Sequence, residues 1–141
     1  MRIKELSYAT QLSILKSGYI GSSSHMDSSG FVWTCPVKPT ALSNIYTIKI
    51  NYHVGKFPKC YIINPKKLPL AEGATRLPHT YDSQKQQLCL FYPYYREWDS
   101  TKPIAITIVH WAIQWLFFYE IWVFTGKWNG GGHGNWDAEP L

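Results

Sequence analysis

Residues 31–64 have the sequence FVWTCPVKPTALSNIYTIKINYHVGKFPKCYIIN, and this stretch decides the fold. It contains three runs rich in β-branched and aromatic residues, at positions 31–37, 44–54 and 59–64, and such residues favour strands. The middle run alternates between two sets of side chains, which predicts a strand with one buried face. Strands joined by short turns favour an antiparallel meander, and we predict a sheet of about four strands. The segment 65–87 shows little periodicity and predicts a long ordered loop.

The N-terminal segment, residues 1–30, is predicted to contain a short helix and a mobile loop. Residues 4–17 carry apolar side chains at helical spacing and are followed by Gly18, a common stop residue for helices. Residues 21–30, GSSSHMDSSG, are rich in serine and glycine, which is typical of a loop. At the other end of the chain, residues 127–141 form a glycine-rich tail, predicted to be flexible or docked on a partner.

A second and longer helix is predicted over residues 103–124, PIAITIVHWAIQWLFFYEIWVF. Ser100 or Thr101 can cap its start, and Gly126 follows its end. The apolar run is long enough to cross a membrane, but polar residues interrupt it and favour burial in a soluble core. The interrupting residues are His110, Gln114 and Glu120, and Thr107 forms a polar stripe with the first two. The face predicted to lie on the sheet comprises Ile104, Ile108, Trp111, Trp115 and Tyr119 or Trp122. The predicted class is therefore α/β (α+β): an N-terminal helix, an antiparallel meander and a long aromatic helix.

Length and composition limit the class of protein further. At 141 residues the chain fits a single domain, 1–141, which can bury a core without disulfides or metals. The net charge of +5 comes from scattered lysines and arginines, so we expect weak attraction to acidic partners but no polyanion-binding arm. Three irregularly spaced cysteines form neither a disulfide framework nor a zinc motif. With no secretory signal, we expect a cytoplasmic protein without cofactor or metal.

Residues 79–98, HTYDSQKQQLCLFYPYYREW, contain the candidate active site. Cys89 lies between two leucines at the end of a polar segment, so a strand-like piece is predicted to bring one thiol to the edge of a loop. Thiolate chemistry needs an accessible sulfur with a lowered pKa, and His79, Lys85 and Arg96 are the neighbouring groups predicted to supply positive potential. The alternative is a buried cysteine that packs as a small hydrophobic side chain.

The spacing of these residues resembles the active-site stretch of ubiquitin-conjugating enzymes. In that family a His-Pro-Asn triplet precedes an Ile-Cys-Leu by ten residues, and a tryptophan follows. This sequence departs from the family at the triplet, which is His-Thr-Tyr. It is more similar to the stand-alone bacterial conjugating-enzyme-like proteins encoded in antiphage operons beside cyclic-oligonucleotide synthases. The resemblance covers roughly residues 31–133 and rests on Pro78-His79-x-Tyr81, Leu88-Cys89-Leu90, Glu97-Trp98 and Thr125-Gly126-x-Trp128.

The resemblance implies a conjugating-enzyme fold and an acyl-carrier activity. Cys89 would form a thioester with the C-terminus of a partner protein, which the bacterial relatives suggest is a cGAS-like nucleotidyltransferase, and would pass the acyl group to an amine. In the family the histidine, here His79, is mainly structural, and the oxyanion role belongs to an asparagine two positions later. That position is Tyr81 in this chain. A phenol can donate a hydrogen bond to an oxyanion, so Tyr81 is either its substitute or a packed loop aromatic.

Besides the membrane protein that the long apolar helix allows, two rival functions remain open on the sequence. The first is a non-catalytic interaction module of the same fold, which the missing asparagine favours. The second is a sheet that binds single-stranded nucleic acid, with Tyr46, Tyr52 and Tyr61 as stacking platforms beside lysines.

Several other side chains in the sequence have alternative roles. Glu97 and Asp99 either orient an incoming amine or are solvated loop carboxylates. Four of the seven tryptophans fit either a ligand-stacking surface or the core, and the core is favoured for tryptophan at helical spacing. The five histidines lack the pairwise spacing of a zinc site. The tryptophans are Trp98, Trp111, Trp115 and Trp122, and the histidines are His25, His53, His79, His110 and His133.

Overall fold

The structure, a computed structural model, describes residues 4–130. Within these residues six strands form one antiparallel sheet, and two α-helices flank it in sequence. The strands are β1 (Ser23–Asp27), β2 (Gly30–Val37), β3 (Tyr46–His53), β4 (Lys59–Asn64), β5 (Thr80–Asp82) and β6 (Gln87–Leu88). The helices are α1 (Tyr8–Gly18) and α2 (Ile108–Thr125), with 3₁₀ turns at Pro93–Tyr95 and Ile104–Ile106. The spatial order of strands is β1-β2-β3-β4-β6-β5, so the predicted α+β class is confirmed.

Strand β3 lies inside the sheet and shows the predicted alternation. Its buried face carries Tyr46, Ile48, Ile50 and Tyr52, and the intervening residues are only half-buried. β2 pairs along one side and β4 along the other, so that Ile50 faces Trp33 on one neighbour and Cys60 on the other. One face of the sheet is therefore the wall of the hydrophobic core, as the period of two in the sequence indicates.

The segment 21–30 is not the loop that its composition predicts. Ser23–Asp27 forms edge strand β1, which pairs with β2 in a tight hairpin. All five of its residues are exposed, so the strand lacks the apolar alternation by which buried strands are found. Gly30 closes the hairpin at φ 147°, and a Cβ there would lie 2.1 Å from the carbonyl oxygen of Tyr52. This position therefore requires glycine.

Helix α1 begins at Tyr8, where the hydroxyl of Ser7 accepts the amide of Thr10 at 3.1 Å. Its buried residues are Gln11, Leu12 and Leu15. The side chain of Gln11 accepts the amide of Ile104 at 2.9 Å and donates to the carbonyl of Lys102 at 3.0 Å. A buried amide therefore fastens α1 to the segment that precedes α2.

The C-terminal helix begins later than predicted. The 3₁₀ turn precedes a break at Thr107, and α2 starts at Ile108 without a side-chain cap from Ser100 or Thr101. Thr107 instead donates to the carbonyl of Pro103 at 2.7 Å and accepts the indole N–H of Trp98 at 3.1 Å. Because tertiary hydrogen bonds engage this segment, the sequence signals for a helix start are overridden. The predicted stop is confirmed, since Gly126 has φ 77° and its amide donates to Trp122.

The face of α2 that packs in the core differs from the prediction at Trp111, which is only half-buried. The stretch Ile104–Thr125 is long and apolar enough to cross a membrane. Of the 18-residue window within it that has this apolar character, 44% is buried in the fold. The apolar sequence of the helix is thus explained by one face that packs in the core. That face comprises Ile108, Val109, Ala112, Trp115, Leu116, Tyr119 and Trp122.

A buried glutamine orders the long segment between β4 and β6. Gln86, with φ 56°, accepts the amide of Leu68 at 2.6 Å and donates to the carbonyls of Ile62 and Pro65 at 2.9 and 3.0 Å. Part of this segment is strand β5, so the prediction of a loop over the whole of 65–87 is wrong there. The fixed segment leads directly to His79.

Substitution of Gln86 tests this anchoring. We expect Gln86→Ala to lower the free energy of unfolding by about 2 to 3 kcal/mol, because it leaves buried backbone groups without partners. The matched control is Gln84→Ala, an exposed glutamine in the same turn, with an expected change below about 0.5 kcal/mol. Urea unfolding followed by tryptophan fluorescence measures both. Equal effects of the two substitutions would contradict the anchoring role.

Candidate active site

Cys89 directly follows the short strand β6. Its amide donates to the carbonyl oxygen of His79 at 3.0 Å, which continues the pairing of β5 with β6 by one further hydrogen bond. The side chain is 3% exposed. The structure therefore brings Cys89 and His79 together, as the sequence predicts, but places the thiol below the surface.

His79 contributes its backbone to the site and packs its ring into the core. Its carbonyl also accepts the indole N–H of Trp115 on α2 at 3.2 Å. Its imidazole stacks on Trp128 with the ring centroids 5.0 Å apart and the planes at 21°. The residue has φ 49°, a left-handed conformation that costs about 1 to 3 kcal/mol and is often found at functional sites. Two elements of the fold, α2 and the segment after it, hold this conformation in place.

Tyr81 lies beside Cys89 because strand β5 bulges there. Thr80 pairs with Leu88 and Asp82 with Gln87, so Tyr81 is the extra residue of the bulge, and bulges re-aim side chains. Its hydroxyl donates to the carbonyl of Phe91, and its side chain acts on the thiol of Cys89, whose pKa it lowers. Tyr81 remains 49% exposed. The side chain of Tyr81 therefore lies beside the buried thiol and also reaches the surface.

The prediction that Cys89 has a lowered pKa is wrong. Burial raises the pKa of the thiol, the hydrogen bond from Tyr81 lowers it, and the charge of Glu97 raises it again, with a net upward shift. Among the described residues, neither Lys85 nor Arg96 shifts this pKa, and both side chains are exposed. Desolvation favours the neutral form of a thiol, so Cys89 is held as a thiol at neutral pH.

The two acidic residues after the cysteine have different environments. A carboxylate oxygen of Glu97 accepts the amide of Tyr92 at 2.6 Å, and its charge acts on both Cys89 and Tyr81. Asp99 is exposed and accepts the hydroxyl of Thr101 and also its amide, the latter at 2.8 Å, and both hydrogen bonds lower the pKa of this carboxyl. Glu97 therefore belongs to the site, whereas Asp99 stabilises the turn that follows it.

The other predicted candidates lie in the core or outside the described residues. Burial raises the pKa of Cys60 to about 12 and also raises the pKa of Cys35. Among residues 4–130 no three His, Cys, Asp or Glu side chains converge on a metal site, and His133 lies outside this range. Of the three tyrosines in the alternative nucleic-acid platform, Tyr46 and Tyr52 are buried and Tyr61 is half-buried, so two of the three cannot stack on a base.

The sequence did not predict the contribution of the helix to this site. Trp115 was assigned to the face on the sheet, but its indole also holds the His79 carbonyl. Trp128 falls in the tail that the sequence predicts to be flexible or docked on a partner, yet it is buried against His79, Trp115 and Phe118. Its place in the Thr125-Gly126-x-Trp128 motif was the available signal. The remaining tail, 131–141, lies outside the described residues.

A helix, an antiparallel sheet and a thiol placed after the last strands agree with the predicted conjugating-enzyme fold. The family model described as Type II CBASS E2 protein matches residues 11–135, which is most of the chain. The chain belongs to this family. This Type II CBASS E2 protein therefore has an E2-like role in CBASS defence. No curated protein matches the sequence.

Cys89 of this E2 protein should react slowly with iodoacetamide near neutral pH. The raised pKa means that the thiolate fraction, and with it the alkylation rate, should rise about tenfold per pH unit from about pH 7 to about pH 9 without a plateau. Tyr81→Phe removes the hydrogen bond that lowers the pKa, so it should shift the profile to higher pH. Mass spectrometry of the Cys89 peptide gives the rate. A plateau below about pH 8 would rule out a raised pKa.

Proposed function

We propose that this protein is a cytoplasmic acyl carrier. Cys89 accepts the activated C-terminal carboxyl of a partner protein as a thioester and transfers it to an amine. We further propose that the partner is a cGAS-like nucleotidyltransferase, so that the transfer regulates antiphage signalling. The observation that carries the proposal is the placement of Tyr81 beside Cys89: the bulge in β5 re-aims the phenol, which lowers the pKa of the thiol, and the carbonyl of His79 fixes the amide of Cys89.

Both steps of this transfer balance without a cofactor. The sulfur of Cys89 attacks the carbonyl carbon of an acyl-adenylate or an upstream thioester, and adenylate or the upstream thiolate leaves. The proton of the thiol passes to water or to that leaving group. An amine then attacks the new thioester, the C–S bond breaks, and Cys89 departs as a thiolate. The amine loses a proton to water or to Glu97, whose negative charge raises the pKa of the thiol. A thiolate leaves readily, so the acyl group remains activated towards nitrogen.

Tyr81 supports both steps in different ways. Its hydroxyl carries one proton, which it directs to the carbonyl of Phe91 while Cys89 is a neutral thiol. When negative charge develops on the sulfur or on the acyl oxygen, the same proton can turn towards that charge. In this way a tyrosine performs the oxyanion task that asparagine performs in the resembled enzymes.

A specific observation favours the second candidate function, a non-catalytic interaction module. The thiol is 3% exposed and burial raises its pKa, as is common for a cysteine that only packs. In the acyl-carrier proposal the same burial keeps the thiol unreactive until a donor displaces the covering side chains. The two functions therefore differ in whether a covalent intermediate forms.

Intact-protein mass spectrometry of the protein co-expressed with its genomic neighbours separates these functions. We expect an adduct of whole-protein mass that thiol reductant and hydroxylamine cleave, because both attack thioesters. Cys89→Ala should abolish it, and Cys89→Ser should convert it into an ester that withstands reductant. Cys35→Ala, a buried cysteine on β2, is the matched control and should keep the adduct. Stable binding to a neighbour without any adduct would refute the acyl carrier and establish the interaction module.

Tyr81→Phe tests the role of the phenol. Loss of one oxyanion donor should slow single-turnover transfer from the preformed thioester to an amine by about a hundredfold. Tyr94→Phe is the matched control, because Tyr94 is 93% exposed in the same stretch, and it should leave the rate unchanged. Quenched-flow sampling with non-reducing electrophoresis gives both rates. Equal rates in the two variants would show that the hydroxyl of Tyr81 takes no part in the transfer.

A further inference from the structure

A cleft of about 250 Å³ lies on the β4 side of the candidate active site. Leu88 and Leu90, the chain neighbours of Cys89, line the cleft, and so does Tyr81, whose side chain lowers the pKa of the thiol. The volume falls below the range of about 300 to 1,000 Å³ that is usual for small-molecule sites. It therefore suits one or two side chains of an extended peptide better than a complete cofactor.

The body of the cleft is apolar. Phe91 is buried at its base, and Phe57, from the turn between β3 and β4, lies over it with ring centroids 6.1 Å apart. Phe57 is nevertheless 44% exposed. A large aromatic side chain that remains exposed beside a concave surface is typical of a contact for an apolar ligand group.

The rim of the cleft is basic. Lys56 and Lys59 line it at both ends of the Phe57-Pro58 dipeptide, and both side chains are exposed. No Asp or Glu occurs among the described residues that line the cleft. A partner segment with a carboxylate close to an apolar side chain would complement this surface in charge and in polarity.

We propose that this cleft binds the C-terminal tail of the acyl donor and selects tails that combine an apolar residue with an acidic one. The proposal rests on the acyl-carrier function above. The terminal carbonyl of the tail would lie at Cys89, the apolar side chain against Phe57 and Phe91, and the acidic group at Lys56 and Lys59. An extended chain advances about 3.3 Å per residue, so these features fall within the last several residues of the donor.

Selection from a random library tests this specificity without knowledge of the donor. The probe is a pool of random octapeptides displayed with free C-terminal carboxylates, and the bait is the full chain carrying Cys89→Ala. We expect enrichment of Asp or Glu a few positions before the end. With K56E/K59E added, the preference should change to Lys or Arg. The matched control, K66E/K67E, alters two exposed lysines outside the cleft by the same charge and should keep the acidic preference.

Phe57→Ala, also made with Cys89→Ala, tests the apolar half of the cleft separately. It should reduce the enrichment of large apolar residues while the acidic preference stays. The proposal is overturned if the bait enriches no sequences, or if the acidic preference is absent or survives K56E/K59E. Circular dichroism of each variant confirms that the fold is kept, and the salt dependence of binding to the unaltered cleft provides the charge test if K56E/K59E unfolds.

Because the selection uses Cys89→Ala, its result is independent of thioester chemistry. Acidic selection without any adduct on native Cys89 would leave the cleft as a docking site and refute the acyl carrier. An adduct on native Cys89 without acidic selection would support the acyl carrier and overturn the proposed specificity of the cleft. Where both hold, K56E/K59E should raise the KM for the donor about tenfold with little change in single-turnover rate, since rim charges act mainly on encounter.

Discussion

The carbonyl oxygen of His79 is the acceptor on which the rest of the site depends. The amide of Cys89 and the indole of Trp115 both donate to it, so one atom connects the end of the sheet to the long helix. The stacked rings of His79 and Trp128 extend this connection to the segment after the helix. The site is thus held by the core itself, because Trp115 is also part of the buried face of α2. Rigid elements position reactive groups more accurately than loops do.

Burial of the thiol follows from the same arrangement and shapes the proposed chemistry. A thiol fixed between two leucines and a phenol loses water, and its pKa rises. Such a group is protected from oxidation and alkylation, which follow thiolate character and exposure. The acyl carrier proposed here would become reactive when a donor tail occupies the adjoining cleft and brings an electrophilic carbonyl to the sulfur. Specificity would then lie in docking, and Tyr81 would stabilise the charge that develops.

Much of the fold was predictable from sequence because its core has clear periodicity. The alternation of side chains predicted strand β3, and Gly126 predicted the end of α2. Edge strand β1 has no buried face, so no pattern could reveal it. In the site, spacing brought His79, Tyr81 and Cys89 together, but burial of Cys89 and the hydrogen bond from Trp115 are tertiary effects. Such effects depend on how α2 packs against the segment of β5 and β6, which local sequence does not encode.

The central claim is that α2 fixes the Cys89 segment through the His79 carbonyl. Amide hydrogen exchange of Cys89, followed by NMR in native protein and in Trp115→Phe, tests it most directly because this variant keeps the aromatic packing and removes one donor. The account predicts that exchange at Cys89 accelerates by about tenfold, corresponding to one hydrogen bond, beyond any change in the amides of β3. Equal acceleration at Cys89 and in β3, or none at Cys89, would contradict it.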